Sequence, residues 1–292
     1  MATASDLIGG AGIIDCLIGF PASDFSQYEF IRQQLRDSES RDGHDFPVEY
    51  MFKNVPKELY GSENPIELTL HEMDRFGVER GLIGVGDEVS ARALKDHPDR
   101  FIPSGSVDPN DGMEGIRQMV RDYEEFGVRG FGAFPAGCNP QVAIDDAKFY
   151  PIYAKCVELG TPIFVCAGVP GPRLPMDCQK VERIDRVLYD FPELVFVTRH
   201  GCEPWQKLAM KLMLKWPNLY YSTSAFAPRY YPEEIIQYAN TRGADKILYA
   251  GYFPMGLSLE RIMTDMPMVG FRDHVWPKFL RENALRVLGL DA

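Results

Sequence analysis

Four side chains at the ends of apolar runs have types able to move protons or attack a carbonyl: Asp15, Cys166, His200 and Tyr252. His200, in "TRHGCEPW", is the natural general acid/base, because imidazole titrates near working pH. Tyr252, in "YAGYFPM", offers a phenol that donates a proton or holds an oxyanion. Asp15, in "IIDCLIGFP", either orients a partner and serves as a base with its pKa raised by burial, or simply braces a strand end. Cys166, in "FVCAGVPGPR", becomes a nucleophile only if His200 lies near enough to lower its pKa; otherwise it is a small buried apolar residue. Arg173 and Arg229 suit a bidentate grip on a substrate carboxylate. Phe134, Trp205, Ser224 and His44 complete the candidate substrate-binding set, and Arg199 is expected to point away from the site as a structural ion-pair partner.

Short β-branched or aromatic runs are expected to position these residues. They are "GIIDCLIG" (12–19), "RGLIGVG" (80–86), "FIPSGSV" (101–107), "RGFGAF" (129–134), "PIFVCAG" (162–168), "LVFVTRHG" (194–201), "LYYSTSA" (219–225) and "KILYAG" (246–251). Amphipathic stretches separate them, as in repeated strand–helix units. "EGIRQMVRDYEEFG" sets Ile116, Met119, Val120 and Tyr123 on one stripe and stops at Gly127; "DDAKFYPIYAKCVELG" stops at Gly160; "PEEIIQYANTRG" starts at Pro232 and stops at Gly243. Eight such units in 292 residues predict a single α/β domain, a (β/α)8 barrel, over 1–292. An open doubly wound sheet is the alternative, but no Gly-rich phosphate loop follows any strand. One connection is out of scale: about 22–64, after the first strand, is a long insertion that distorts the simple repeat; it either lies over the catalytic mouth, with Phe46, Tyr50, Met51 and Phe52 covering an apolar substrate, or is a surface excursion packed against the barrel wall.

The formal net charge of -11 argues against a nucleic-acid or anionic-membrane surface. No apolar run approaches the roughly 20 residues that cross a bilayer, and no basic, apolar leader is seen, so a cytoplasmic protein is expected. The six cysteines contain no CxxC pair and read as free thiols.

"GTPIFVCAGVPGPR", "RHGCEPW", "WPNLYYSTSAFAPRYYP", "ADKILYAGYFPM" and "FLRENALRVLGL" follow the order typical of the amidohydrolase-related family. The resemblance covers the first strand and most of the chain from about residue 64. That family includes aminocarboxymuconate-semialdehyde decarboxylase, resorcylate-type decarboxylases and pyrone-dicarboxylate lactonase, and its fold is a (β/α)8 barrel. The departures concern the metal. Family members carry a histidine pair or a glutamate on the first strand, where this chain has Leu17 and Gly19. The usual histidine of the fifth strand corresponds to Cys166, and the aspartate of the last strand to Tyr252, so only His200 remains of the usual metal-binding set.

A catalytic zinc takes three protein ligands, and Leu and Gly offer no lone pair. The expectation is therefore no metal and no cofactor, with a zinc site rebuilt from Cys16, Cys166, His200 and Cys202 as the alternative. The resemblance implies a hydrolase or carboxy-lyase acting on a small cyclic or aromatic carboxylic acid or ester by acid/base chemistry. Apolar residues expected at the mouth (Phe20, Phe134, Tyr230, Tyr231, Phe253, Met255) favour a ring. Two other readings stand beside it: a barrel that has lost catalysis and binds a ligand or partner, and the zinc hydrolase. A homodimer is compatible with the resemblance; the sequence shows no interface.

Overall fold

The computed structural model describes residues 4–291. Eight parallel strands follow one another in chain order: β1 (Ile13–Asp15), β2 (Val78–Gly84), β3 (Phe101–Val107), β4 (Phe131–Ala133), β5 (Ile163–Cys166), β6 (Phe196–Arg199), β7 (Leu219–Ser222) and β8 (Ile247–Leu248). All eight expected runs overlap a strand, β2 starting at Val78, two residues before its run. The ring closes where Cys16 N–H donates to the Tyr249 carbonyl at 3.1 Å, Gly19 N–H donates to that of Phe253 at 2.9 Å, and Ile18 bridges to Phe253. Parallel neighbours cannot be joined by a tight turn, so helices lie in the connections. They include Pro65–Phe76, Glu88–Asp96, Gly112–Phe126, Tyr150–Leu159, Arg183–Asp190, Gln206–Lys215 and Glu233–Tyr238. The fold is the expected (β/α)8 barrel.

Alternation along the strands sorts the core into two layers. Ile14, Cys16, Leu82, Ile102, Phe164, Val197, Leu248 and Ala250 pack together inside the barrel. Their odd-numbered or even-numbered neighbours, among them Ile13, Ile83, Phe131, Ile163, Phe196 and Ile247, pack outward against the helices. Ala284, Val287 and Leu288 of helix Asn283–Leu288 join the inner layer, with Tyr220 and Val195 beside them. That helix therefore covers the base of the barrel, at the N-terminal ends of β6 and β7. Opposite it lies the mouth.

One helix face differs from its expected stripe. In Gly112–Phe126, Ile116 and Met119 are buried, but Tyr123 is exposed and Asp122 is buried, accepting from Gln118 Nε2 at 2.6 Å. The glycine stops hold: Gly127 and Gly160 cap their helices with φ near 65°, a conformation glycine adopts without penalty.

The long connection after β1 runs across the strand-end loops. Gln34 Nε2 donates to the Gly137 carbonyl after β4 at 2.7 Å, and Tyr50 Oη donates to the Gly171 carbonyl after β5 at 2.6 Å. After β8, Tyr60 Oη donates to the Met255 carbonyl at 3.0 Å, and the Phe52 ring stacks on Tyr252 with centroids 5.5 Å apart. Phe46 is fully buried behind Phe52, whereas Tyr50 and Met51 are exposed, so only Phe46 and Phe52 of the four expected aromatic and apolar residues turn inward. Among the described residues no helix is long and apolar enough to cross a membrane.

Candidate active site

The last inward positions of β5 to β8 converge at the mouth. β6 ends in Arg199 and then turns sharply, with His200, Gly201 and Cys202 all at positive φ (63°, 86° and 58°). Such a run is costly for residues with a Cβ and needs outside support. Ser224 Oγ accepts from the His200 N–H at 3.1 Å, and Tyr221 Oη donates to the Gly201 carbonyl at 2.9 Å. Gly201 has no substitute here: a Cβ would lie 2.6 Å from the Phe226 ring, as well as in a left-handed backbone.

The turn brings the His200 ring against Tyr252, edge to face with centroids 5.7 Å apart. Its Nδ1 lies 3.1 Å from Ser224 Oγ, which in turn lies 3.3 Å from Ser222 Oγ. Both serines are buried. Among the described residues Ser222 Oγ donates to Ser224 Oγ alone; with Ser224 donating on to Nδ1, the imidazole proton sits on Nε2. Burial first, and then the Arg199 charge, lower the His200 pKa to about 4, against a hydrogen bond to the Ser224 backbone. The expectation that His200 titrates near neutrality is thus corrected: the ring is a neutral donor. Tyr252 is held above the ordinary phenol range by burial and stays protonated.

Cys166 is buried, and desolvation pushes its thiol up to about 12 despite Arg199 nearby, which disfavours the thiolate that a nucleophile needs. Asp15 lies on the other face of β1 from Ile14 and Cys16. Its Oδ1 accepts from Leu17 N–H at 2.9 Å and from Gly251 N–H at 2.7 Å, which stitches β1 to the segment after β8. Burial raises it to about 7, but the group braces the seam and does not face the barrel interior. Phe134 lies against Gly137 in the loop after β4. Trp205 packs into the helical layer. Of the residues expected to line the mouth, Phe20, Tyr231 and Phe253 also pack in that layer, and Tyr230 is exposed.

The two arginines expected to grip a carboxylate are already engaged. Arg173 meets Asp37 at 2.7 Å and Glu39 at 2.9 Å and lies over the Tyr50 ring. Arg229 grips Asp265 with Nε at 2.8 Å and NH2 at 2.5 Å. His44 sits in the segment after β1, its Nε2 enclosed and 4.0 Å from Glu39. None of these three reaches the His200–Tyr252 pair by a hydrogen bond or ring contact.

Arg199 is the residue that sequence reasoning sent the wrong way. It follows Val197 on the inner face; its guanidinium lies over the Phe164 ring at 5.0 Å, and a Cβ at Gly132 would come within 2.8 Å of NH1. Its charge is felt at Cys16, Cys166 and Tyr252. Among the described residues it has no ion-pair or hydrogen-bond partner, and Nε is fully enclosed.

A profile of the amidohydrolase family matches residues 71–290. The chain belongs to the amidohydrolase family. No curated protein matches it. Among solved structures, an uncharacterised TIM-barrel protein from Bordetella bronchiseptica is 25% identical with a TM-score of 0.74, over 95% of this chain and 98% of that one. The 2,6-dihydroxybenzoate decarboxylase from Rhizobium is 15% identical, TM-score 0.66, over 97% and 100%. A dihydroxybenzoic acid decarboxylase from Polaromonas sp. JS666, solved with manganese and the inhibitor 2-nitroresorcinol, is 15% identical, TM-score 0.67, over 96% and 97%.

That manganese corrects the expectation of a family barrel without a cofactor: amidohydrolase neighbours of this fold are solved with the metal bound. The side chains present here do not match such an ion. Among the described residues no group of three or more His, Cys, Asp or Glu could hold a metal. Leu17 and Gly19 supply no donor, and the Arg199 cation stands next to the one histidine. The cysteine-rich zinc site fares no better, because Cys16 packs inside the barrel while Cys202 packs in the helical layer, and burial keeps both thiols protonated. No step below is routed through a metal.

Proposed function

We propose that this chain is an amidohydrolase-family enzyme, a hydrolase or carboxy-lyase, that acts on a small cyclic or aromatic carboxylic acid or ester. The observation that supports it is the chain Ser222–Ser224–His200 beside Tyr252. Two fixed neutral donors, the His200 Nε2–H and the Tyr252 hydroxyl, suit an oxyanion that develops during reaction. In ester or lactone hydrolysis that oxyanion is the former carbonyl oxygen of the tetrahedral intermediate. In decarboxylation it is an oxygen of the ring that takes up the electron pair left by departing carbon dioxide. Donors already oriented before reaction need no rearrangement as charge develops, so they favour the transition state over the ground state.

Phe52, stacked on Tyr252, supports a reading of about 22–64 as a lid that shields these donors from water. The test is turnover by purified protein, as isolated and with manganese added, over a panel of ring acids and lactones that includes 2,6-dihydroxybenzoate and 5-carboxyvanillate. Conversion of a panel member is expected to fall by at least about a hundredfold in His200→Ala, as for loss of an oxyanion donor. Equal turnover by His200→Ala would remove the assignment, as would binding with no turnover in either form.

A further inference from the structure

We propose that Arg199 is the anion-binding residue of this site, and that it takes a carboxylate of a planar ring acid which the reaction leaves intact. The inference deepens the function proposed above and rests on it for the location of the reacting atoms.

The first support is position. Arg199 extends from the inner face of β6, its guanidinium stands over Phe164 of β5, and the space it uses at β4 exists because residue 132 is glycine. Its charge is felt at Cys16 just after β1, at Cys166 of β5 and at Tyr252 after β8. The cation therefore lies inside the barrel, next to the His200–Tyr252 pair.

The second support is the missing counter-charge. The other arginines considered for substrate binding, Arg173 and Arg229, are each closed by carboxylates. Arg199 has none among the described residues, and its enclosed Nε has no acceptor. A half-buried guanidinium with an enclosed, unpartnered Nε is unfavourable, and a carboxylate supplies the planar, two-point acceptor that matches it. Charge sets the class further. One cation with no other charged partner among the described residues is balanced by a monoanion; a phosphate dianion would leave an excess negative charge at the same place. The Tyr252 ring, which flanks His200, suits a flat ring attached to that carboxylate.

The gripped carboxylate is not the one that leaves. A departing carboxylate loses its charge on the way to carbon dioxide, so a strong ion pair to it holds the ground state more than the transition state. A carboxylate that survives the reaction keeps its pairing throughout and fixes the ring against the two donors.

The experiment is calorimetric titration of the full chain with benzoate, an unreactive ring monoanion, and with benzamide, its neutral counterpart. Benzoate is expected to bind and benzamide at least about tenfold more weakly, as is benzoate to Arg199→Gln, the usual size for a charge-assisted contact. Arg199→Lys should bind with intermediate affinity. Without ligand, Arg199→Gln should have a Tm equal to or above that of the wild type, because relief of an unpaired charge offsets the lost contact with the Phe164 ring and no ion pair or hydrogen bond is lost. Three results overturn the inference: no benzoate binding by the wild type at millimolar concentration, equal affinity for benzamide or in Arg199→Gln, or weakened binding accompanied by a lower Tm. Benzoate binding that depends on Arg199 in a chain that converts no ring acid or lactone leaves the subsite standing and removes the enzyme assignment instead.

Discussion

The two faces of the barrel wall at its open end use the same kinds of residue to opposite ends. On the outer face, Asp15 is sealed at the β1–β8 seam, accepts two backbone N–H groups and has the Tyr249 hydroxyl beside it. On the inner face, Ser222, Ser224, His200 and Tyr252 form a graded chain that ends in free donors, with Arg199 unpaired beside them. Both groups contain buried polar atoms, but one closes upon the backbone and the other opens toward the interior. Burial and an altered pKa alone therefore do not mark a site. The direction of the unused valence does.

The largest effect expected from breaking this contrast is on stability with pH. Asp15 is raised to about 7 when folded, from 3.8 for the ordinary carboxyl. Between those values the unfolded chain has released its proton while the folded chain keeps it, so the unfolded state binds fewer protons and stability falls as pH rises. Chemical denaturation of wild type against Asp15→Asn should show the wild type losing roughly 1.4 kcal/mol per pH unit relative to the variant across that window, and no further loss above it. A flat difference would show that the carboxyl is already ionised. Asp15→Ala, measured the same way, should cost about 3 kcal/mol, because it strands the N–H groups of Leu17 and Gly251.

Ser224→Ala sharpens the other side of the comparison. It removes an acceptor from the strained turn and frees the imidazole tautomer, so a loss of about 1–2 kcal/mol in stability is expected. Turnover should drop with it, by about tenfold or more. Nitrogen NMR of the His200 ring reads the tautomer directly; an unchanged Nε2–H in the variant would show that Ser224 does not set it. The smallest effect is that of Phe52→Ala. Losing its stack on Tyr252 should cost about 1 kcal/mol and raise KM more than it lowers kcat, which steady-state kinetics would separate.

Much of the fold was legible because strands buried on both faces must be apolar and short, and the eight runs around Ile13, Leu82, Ile102, Phe131, Val165, Val197, Tyr221 and Ile247 meet that demand. His200, Ser224 and Tyr252 were legible as strand-end residues. Arg199 was not, and the reason is local. Alternation counted backward from an inward His200 turns Arg199 outward, but the left-handed turn at 200–202 breaks the alternation. Counted forward from Val197 along the strand body, Arg199 faces in. Arg173 and Arg229 misled for a different reason: their partners Asp37, Glu39 and Asp265 are far off in sequence, and loop length does not reveal which carboxylate lies opposite. Likewise Cys166 carries no mark in the sequence of the desolvation that keeps it a thiol.

The helix Asn283–Leu288 that covers the base comes after every strand in the chain. During synthesis all eight strands are therefore made before the segment that dries their lower end exists. Until it emerges, Ile14, Leu82, Val197 and Leu248 line a tube open to water at the bottom. The floor of the barrel is thus the last of its parts to be made, and the drying of its lower end waits on it.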